Sequence, residues 1–136
     1  MDASALVKRY LREAGSDRVR HWLASGTPAT SRLTEVEIAS ALMRRWREGS
    51  FGAAARDRAL AALAADLEAL TIVEVAPPVT GRARALLERH PLRAGDALQL
   101  ASCLLLRDST GGGVAFAAFD DRLCQAARAE GLRLLP

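Results

Sequence analysis

The sequence predicts a single α/β domain in which a short parallel sheet lies between helices on both faces. Segments with helical spacing of apolar residues alternate with short apolar or β-branched runs along the 136 residues, and no linker is long enough to separate two domains. Strands separated by helices need crossover connections, which are right-handed and give parallel pairing. We therefore assign residues 1–136 to one domain.

Three helices and one strand are expected in the first third of the chain. Apolar residues recur at helical spacing in the first two segments, and Gly15 separates these segments. Thr27-Pro28 then breaks the chain, and a capping-box pattern at Thr34 opens the third helix. The predicted elements are a helix over Ser4–Glu13, a helix over Ser16–Ala24, a strand over Ala29–Leu33 and a helix over Thr34–Arg47.

The remainder of the chain adds four helices and three strands. β-branched residues after the fourth helix favour a strand, which Pro77-Pro78 ends, and the apolar run before Asp120 suits a strand covered on both faces. The predicted helices are Phe51–Leu70, Val79–His90, Gly95–Arg107 and Asp120–Ala129. The predicted strands are Thr71–Val75, Val114–Phe119 and Leu132–Leu135.

Composition excludes several classes of protein. A chain with 50% hydrophobic and 26% charged residues is not disordered. No apolar run approaches the roughly 20 residues of a membrane span, and the first residues lack the pattern of a secretory signal. We therefore expect a soluble, cytoplasmic protein with no membrane partner. Cys103 and Cys124 are too sparse to define a disulfide framework or a metal site.

The common catalytic motifs based on histidine, serine or glycine are also missing. His21 and His90 do not form a His-Glu-x-x-His pair, and no Gly-x-Ser-x-Gly elbow occurs. The net charge of +3 comes almost entirely from arginines, because Lys8 is the only lysine. Such a surface suits a polyanion, but an arginine-rich genome gives the same composition. Charge alone leaves both explanations open.

Acidic residues occur at or near the start of several predicted helices. They are Asp2, Glu37, Asp96, Asp120 and Asp121. Taken singly, each one fits an ordinary helix cap or a favourable contact with the helix dipole. In a parallel sheet, however, helices that follow strand ends begin at one edge, so these carboxylates are expected to converge. Carboxylates crowded into one pocket repel each other unless a divalent cation binds among them.

Four segments in this order resemble the PIN-domain ribonucleases, and among them the VapC-type toxins of toxin–antitoxin pairs. The segments are Asp2–Lys8, Ser31–Leu42, Leu92–Ser102 and Phe119–Leu123. The resemblance implies a PIN-like three-layer α/β/α fold with a short parallel sheet. It also implies that an acidic quartet holds Mg²⁺ or Mn²⁺ and that Ser4 is the small hydroxyl residue beside the first acid. The quartet is Asp2, Glu37, Asp96 and Asp120.

The chain departs from the family pattern at two places. PIN domains carry a hydrophobic strand directly before the first aspartate, whereas only Met1 precedes Asp2 here, so we expect a domain truncated by about one strand at its N-terminus. Ala118 stands where many relatives have a threonine. Asp121 could substitute for Asp120, although a neighbour at a helix start points in another direction.

The resemblance implies a metal-dependent endoribonuclease that cleaves RNA with a metal-activated water and acts as the toxin of a toxin–antitoxin pair. It also implies a VapB-like antitoxin partner and a homodimer. The arginines expected to contact RNA are Arg9, Arg12, Arg44 and Arg93. Two alternatives stay open: a PIN-like nuclease of RNA processing without an antitoxin, and a catalytically inactive PIN-like binding module.

Overall fold

A computed structural model describes residues 1–136 and contains seven α-helices and four short strands. The first half contains α1 (Ala3–Leu6), a 3₁₀ turn (Val7–Arg9), α2 (Ser16–Ala24), β1 (Ala29–Ser31), α3 (Leu33–Arg47) and α4 (Ala53–Ala69). The second half contains β2 (Thr71–Val73), α5 (Pro77–Arg89), α6 (Ala94–Ser109), β3 (Ala115–Phe116), α7 (Asp121–Ala129) and β4 (Arg133–Leu134). None of the helices has the length and apolar content needed to span a bilayer.

All strand pairing in the molecule is parallel, which confirms the predicted α/β class. β1 pairs with β2, with Thr30 opposite Ile72, and β3 pairs with β4, with Phe116 opposite Leu134. The strands do not form one continuous sheet, because β1 and β3 are not hydrogen-bonded to each other. The predicted sheet is therefore divided into two parallel pairs.

The N-terminus of the chain lies between the two strand pairs. The α-amino group of Met1 donates to the carbonyl of Ala29 at 2.7 Å, and the amide of Asp2 donates to the carbonyl of Ala117 at 3.0 Å. Beside Met1 is a cavity of about 550 Å³ whose lining includes residues of both pairs, among them Thr30 and Phe116. Burial lowers the pKa of the Met1 α-amino group, because its charged form is poorly solvated there.

The apolar core has a large and a small part. The large cluster has 13 buried residues, mainly from α5, α6 and α7, and it includes Leu100, Leu104 and Phe116. The small cluster joins α1, α3 and α4. Its members are Leu6, Ile38, Leu42 and Leu63. The helices α1 and α3 thus pack in one half of the molecule, and α6 and α7 pack in the other.

The first predicted helix is shorter than its apolar spacing indicates. Ser4–Glu13 was expected to be helical, but α1 ends at Leu6 and continues only as a 3₁₀ turn. The Ser16 hydroxyl accepts from the amide of Glu13 at 3.0 Å and donates to the carbonyl of Leu11 at 3.2 Å. These bonds give the backbone groups partners outside a helix and turn the chain towards α2.

The boundaries of α5 and of the strands also differ from the prediction. Pro77 and Pro78 begin α5 instead of preceding it, because proline fits the first turn of a helix, where its missing N–H costs no hydrogen bond. The strands have only two or three residues each, because pairing ends where the neighbouring strand ends. The apolar runs are longer than the paired segments.

A charged cluster around Glu130 ties the end of α7 to α5 and α6. Oε1 of Glu130 lies 2.8 Å from Nε2 of His90 and accepts from Nη2 of Arg89 at 2.9 Å. Nη1 of Arg107 donates to the backbone carbonyl of Glu130 at 3.0 Å. The hydrogen bond from His90 and the charge of Arg89 lower the pKa of the Glu130 carboxyl. The ionised form of Glu130 therefore stabilises the fold.

We expect Glu130→Gln to lower the free energy of unfolding at pH 7 by about 1 kcal/mol, the scale of a partly exposed charged hydrogen bond. Because the folded-state pKa is lowered, this contribution is present above the ordinary glutamate pKa and is lost as the pH falls through the lowered value. Urea unfolding at pH 7 and pH 3 should therefore show a difference from wild type that shrinks in acid. Glu88→Gln, at an exposed position of α5, is the control and should change the free energy of unfolding neither at pH 7 nor at pH 3. A constant difference would contradict the electrostatic explanation.

Candidate active site

Asp2 lies at the N-terminus of α1 and caps this helix. Its Oδ1 accepts from the amide of Ala5 and from the hydroxyl of Ser4, both at 2.9 Å. The residue is only 3% exposed. Burial raises the pKa of the Asp2 carboxyl, although the two hydrogen bonds oppose this effect. Asp2 is therefore a carboxylate that the fold holds in one orientation at an electrostatic cost.

Ser4 connects Asp2 to the segment before α7. Its hydroxyl donates to Asp2 and accepts from the amide of Phe119 at 3.0 Å. Phe119 directly precedes Asp120, which caps α7 by accepting from the amide of Leu123 at 2.9 Å. Ser4 therefore connects Asp2 to the residue that precedes Asp120 through a single hydroxyl group.

Glu37 lies on α3 and is half-buried. Its Oε2 accepts from Nε2 of Gln99 at 2.7 Å. Burial raises the pKa of the Glu37 carboxyl, and the nearby charges of Asp2 and Asp96 raise it further. Because a charge acts in this way only at short range, three of the four predicted acids are electrostatic neighbours.

Gln99 is a buried site residue to which the sequence reasoning gave no role. It lies on α6, is 3% exposed, and donates its two amide protons to Glu37 and to Oγ1 of Thr34, each at 2.7 Å. The Thr34 hydroxyl is 2.8 Å from that of Thr30, which donates to the carbonyl of Met1 at 2.9 Å. This polar chain links Glu37 to the backbone beside Asp2. A lone glutamine among the apolar residues of α6 was the signal for it.

The remaining predicted acids lie at helix starts in the other half of the molecule. Asp96 lies in the first turn of α6 and is partly buried, as is Asp120. Asp121 begins α7 and is exposed. Burial raises the pKa of the Cys124 thiol, and the charges of Asp2, Asp121 and Asp120 raise it further. The acids of α7 and Asp2 therefore act on the same neighbour.

The oxygen ligands that these residues offer suit a divalent cation, but the side chains are too far apart to bind one ion together. Carboxylate oxygens are the ligands that Mg²⁺ prefers, and the burial that raises the pKa values of Asp2 and Glu37 disfavours their negative charges, which a cation would neutralise. No three aspartate, glutamate, histidine or cysteine side chains lie close enough together to hold one metal ion. The structure thus brings acids together electrostatically without forming a compact ligand set.

The four arginines expected to contact RNA differ in their availability. Arg9 forms a double hydrogen bond with Asp66, whose carboxylate also accepts from the Tyr10 hydroxyl at 2.8 Å. Arg9 would have to break this pair to bind a phosphate. The other three are exposed and form no ion pair. They are Arg12, Arg44 and Arg93.

Comparison with known proteins places this site in a family. The model of the PIN domain matches residues 1–129. The chain is 34% identical over 140 residues to "Ribonuclease VapC45" and to "Ribonuclease VapC49", which come from two strains of Mycobacterium tuberculosis. Each alignment covers 99% of this chain and 92% of the relative. The resemblance predicted from the four acidic segments is confirmed, and the chain belongs to the PIN-domain family.

Proposed function

We propose that this protein is a divalent-metal-dependent endoribonuclease that acts as the toxin of a toxin–antitoxin pair. The observation that carries the proposal is the buried carboxylate of Asp2, whose charge acts, together with that of Asp96, on Glu37 inside a PIN domain. Two relatives with the name ribonuclease support the reaction class. PIN-domain nucleases generally use a divalent metal ion, and oxygen-only ligands favour Mg²⁺ or Mn²⁺.

In the proposed mechanism, the metal ligands are the four acids of the quartet. They are Asp2, Glu37, Asp96 and Asp120. When bound, the cation lowers the pKa of a water molecule and neutralises charge that develops on the scissile phosphate. The protein orients these ligands. Ser4 donates a hydrogen bond to Asp2, and Gln99 donates one amide proton to Glu37 and the other to Thr34. The burial of Asp2 and the partial burial of Glu37 strengthen their attraction for a cation, because screening by water is reduced.

The proposed partners follow from the same acidic site. An antitoxin of the VapB kind would place a basic residue near the carboxylates and so compete with the cation. We also propose a homodimer and action in the cytoplasm, where both the RNA and the antitoxin are made. Co-purification of the toxin with a small protein encoded next to it would support the toxin assignment. A nuclease that purifies alone and is harmless when expressed would favour a role in RNA processing.

The decisive test is cleavage of a mixed RNA substrate in the presence of Mn²⁺ or Mg²⁺. We expect the wild-type chain to cleave RNA and Asp96→Asn to be inactive. Asp108→Asn is the matched control, because Asp108 is on the same helix but exposed and paired with Arg82. Cleavage that survives Asp96→Asn or an excess of EDTA would contradict the proposal. Folded wild-type protein that binds RNA without cleaving it would favour the inactive binding module.

Gly95 offers a second test of the position of Glu37. A Cβ atom at Gly95 would lie 2.7 Å from Oε1 of Glu37, closer than such atoms approach each other. We expect Gly95→Ala to displace this carboxylate and to lower cleavage at least about tenfold, the order of a mispositioned catalytic group, while circular dichroism stays native. Gly81→Ala on α5 meets nothing within 4 Å and is the control. It should retain activity and gain about 0.5–1 kcal/mol of stability. Equal activity of the two variants would contradict the assigned position of Glu37.

A further inference from the structure

A cluster of aromatic and cationic side chains lies beside the acidic site. The rings of Trp22 and Phe119 are 5.9 Å apart and inclined by 35°. Nζ of Lys8 is 4.5 Å from the centre of the Phe119 ring. Cζ of Arg18 is 5.1 Å from the same centre and 5.9 Å from that of Trp22. Two cations and two aromatic rings therefore share one small surface, which we call the aromatic platform.

The platform is connected to Asp2 through hydrogen bonds of Ser4. The amide of Phe119 donates to the Ser4 hydroxyl, which itself donates to Asp2. Phe119 also precedes Asp120, the cap of α7. The backbone of Phe119 is therefore connected to Asp2 through one side chain, that of Ser4.

Packing fixes the Phe119 ring in this place. Gly15 adopts a φ of 93°, and a Cβ atom there would lie 2.7 Å from the ring. The glycine thus permits both the left-handed turn before α2 and the close approach of Phe119. A ring that is held rigidly loses little entropy when a ligand stacks on its neighbours.

The two cations of the platform differ in how they are neutralised. Lys8 forms an ion pair with Glu13 at 2.9 Å, and its side chain is only 13% exposed. Arg18 is exposed and has no carboxylate partner, although its guanidinium lies against both rings. Lys8 has a structural partner within the fold, whereas the charge of Arg18 is available to a ligand.

We propose that Arg18, Trp22 and Phe119 form a subsite that binds one unpaired nucleotide of a single-stranded RNA next to the acidic site. The guanidinium of Arg18 would hold a backbone phosphate, and the partly exposed side chain of Trp22 would stack on the adjoining base. Stacking tolerates every base, so the subsite selects an unpaired strand and not a sequence. This inference rests on the proposed function, because it takes RNA as the substrate of the carboxylates.

The test measures RNA binding separately from cleavage. A fluorescein-labelled, unstructured oligoribonucleotide is titrated into protein that carries Asp96→Asn, and anisotropy gives Kd. We expect Arg18→Ala or Trp22→Leu to raise Kd about tenfold, the order of one lost stacked base. Arg18→Ala should also reduce the slope of log Kd against log salt by about one, as expected for one lost phosphate contact. Arg20→Ala is the control, because Arg20 is exposed on the same helix but paired with Asp17.

Tryptophan fluorescence gives an independent measurement. In a Trp46→Phe background the only remaining indole is that of Trp22, and RNA should quench its emission. Three results would each overturn the subsite: no quenching, no measurable binding by any variant, or an equal effect of Arg18→Ala and Arg20→Ala. If cleavage depends on Asp96 but RNA binding is unchanged in Arg18→Ala, the subsite is refuted and the nuclease assignment stands. Binding that depends on Arg18 in a chain that never cleaves would support the subsite and refute the nuclease.

Discussion

Replacing Asp2 by asparagine is expected to abolish RNA cleavage and at the same time to stabilise the metal-free fold. The loss of one charge that the reaction requires should lower the rate by at least about a hundredfold. Asparagine caps a helix as well as aspartate does, so the hydrogen bond from the amide of Ala5 is retained. The negative charge, whose burial raises the pKa of Asp2, is removed. We expect a gain of about 1 kcal/mol, or roughly 3 °C in the melting temperature.

Cleavage assays with Mn²⁺ and thermal melts in EDTA check the two parts of this prediction separately. Asp57→Asn is the control, since this carboxylate is 63% exposed on α4 and should affect neither measurement. Full activity of Asp2→Asn would remove Asp2 from the catalytic site. A lower melting temperature in EDTA would show that the carboxylate contributes more through its hydrogen bonds than its burial costs.

The second large effect is expected from a short apolar strand fused ahead of Met1. Such a segment would enter the cavity of about 550 Å³ between β1 and β3 and would replace the buried ammonium of Met1 by a neutral amide. Burial of four apolar side chains contributes roughly 1.5–3 kcal/mol each, while ordering the added backbone costs roughly 1–2 kcal/mol per residue. We expect a net gain of about 3 kcal/mol, or roughly 10 °C.

Thermal melts of two extended proteins separate the causes of this gain. Met-Ile-Val-Val supplies both a neutral amide and apolar side chains, whereas Gly-Ser-Gly-Ser supplies only the amide. A smaller gain from the second extension would indicate that filling the cavity dominates. If neither extension raises the melting temperature, the cavity does not accept a strand.

The helices could be located from the sequence because their apolar spacing is a local property. Ser16–Ala24 has the predicted bounds, and no end of the remaining long helices differs from prediction by more than two residues. The strands were placed correctly but predicted too long, because pairing depends on neighbours that are distant in sequence. The first helix was also too long, since the hydrogen bonds of Ser16 compete with its last turn.

The candidate site shows the same division between local and distant information. Acids at helix starts can be read from the sequence, and in the structure the charges of Asp2 and Asp96 both act on Glu37. The role of Gln99 could not be read in this way, because its partner Glu37 is 62 residues away. The aromatic platform could not be predicted for the same reason: Phe119 and Arg18 come into contact only in the folded chain.

The division of the sheet has a consequence for the dynamics of the site. Glu37 lies on α3, which contributes to the small apolar cluster, whereas Asp96 and Asp120 lie at the starts of α6 and α7, which contribute to the cluster of 13 buried core residues. Amide hydrogen exchange should therefore be faster in α1 and α3 than in α6, since local opening is easiest where few apolar side chains are buried. A ligand that binds Glu37 together with Asp96 would add a contact between the two halves and slow exchange in the weaker one.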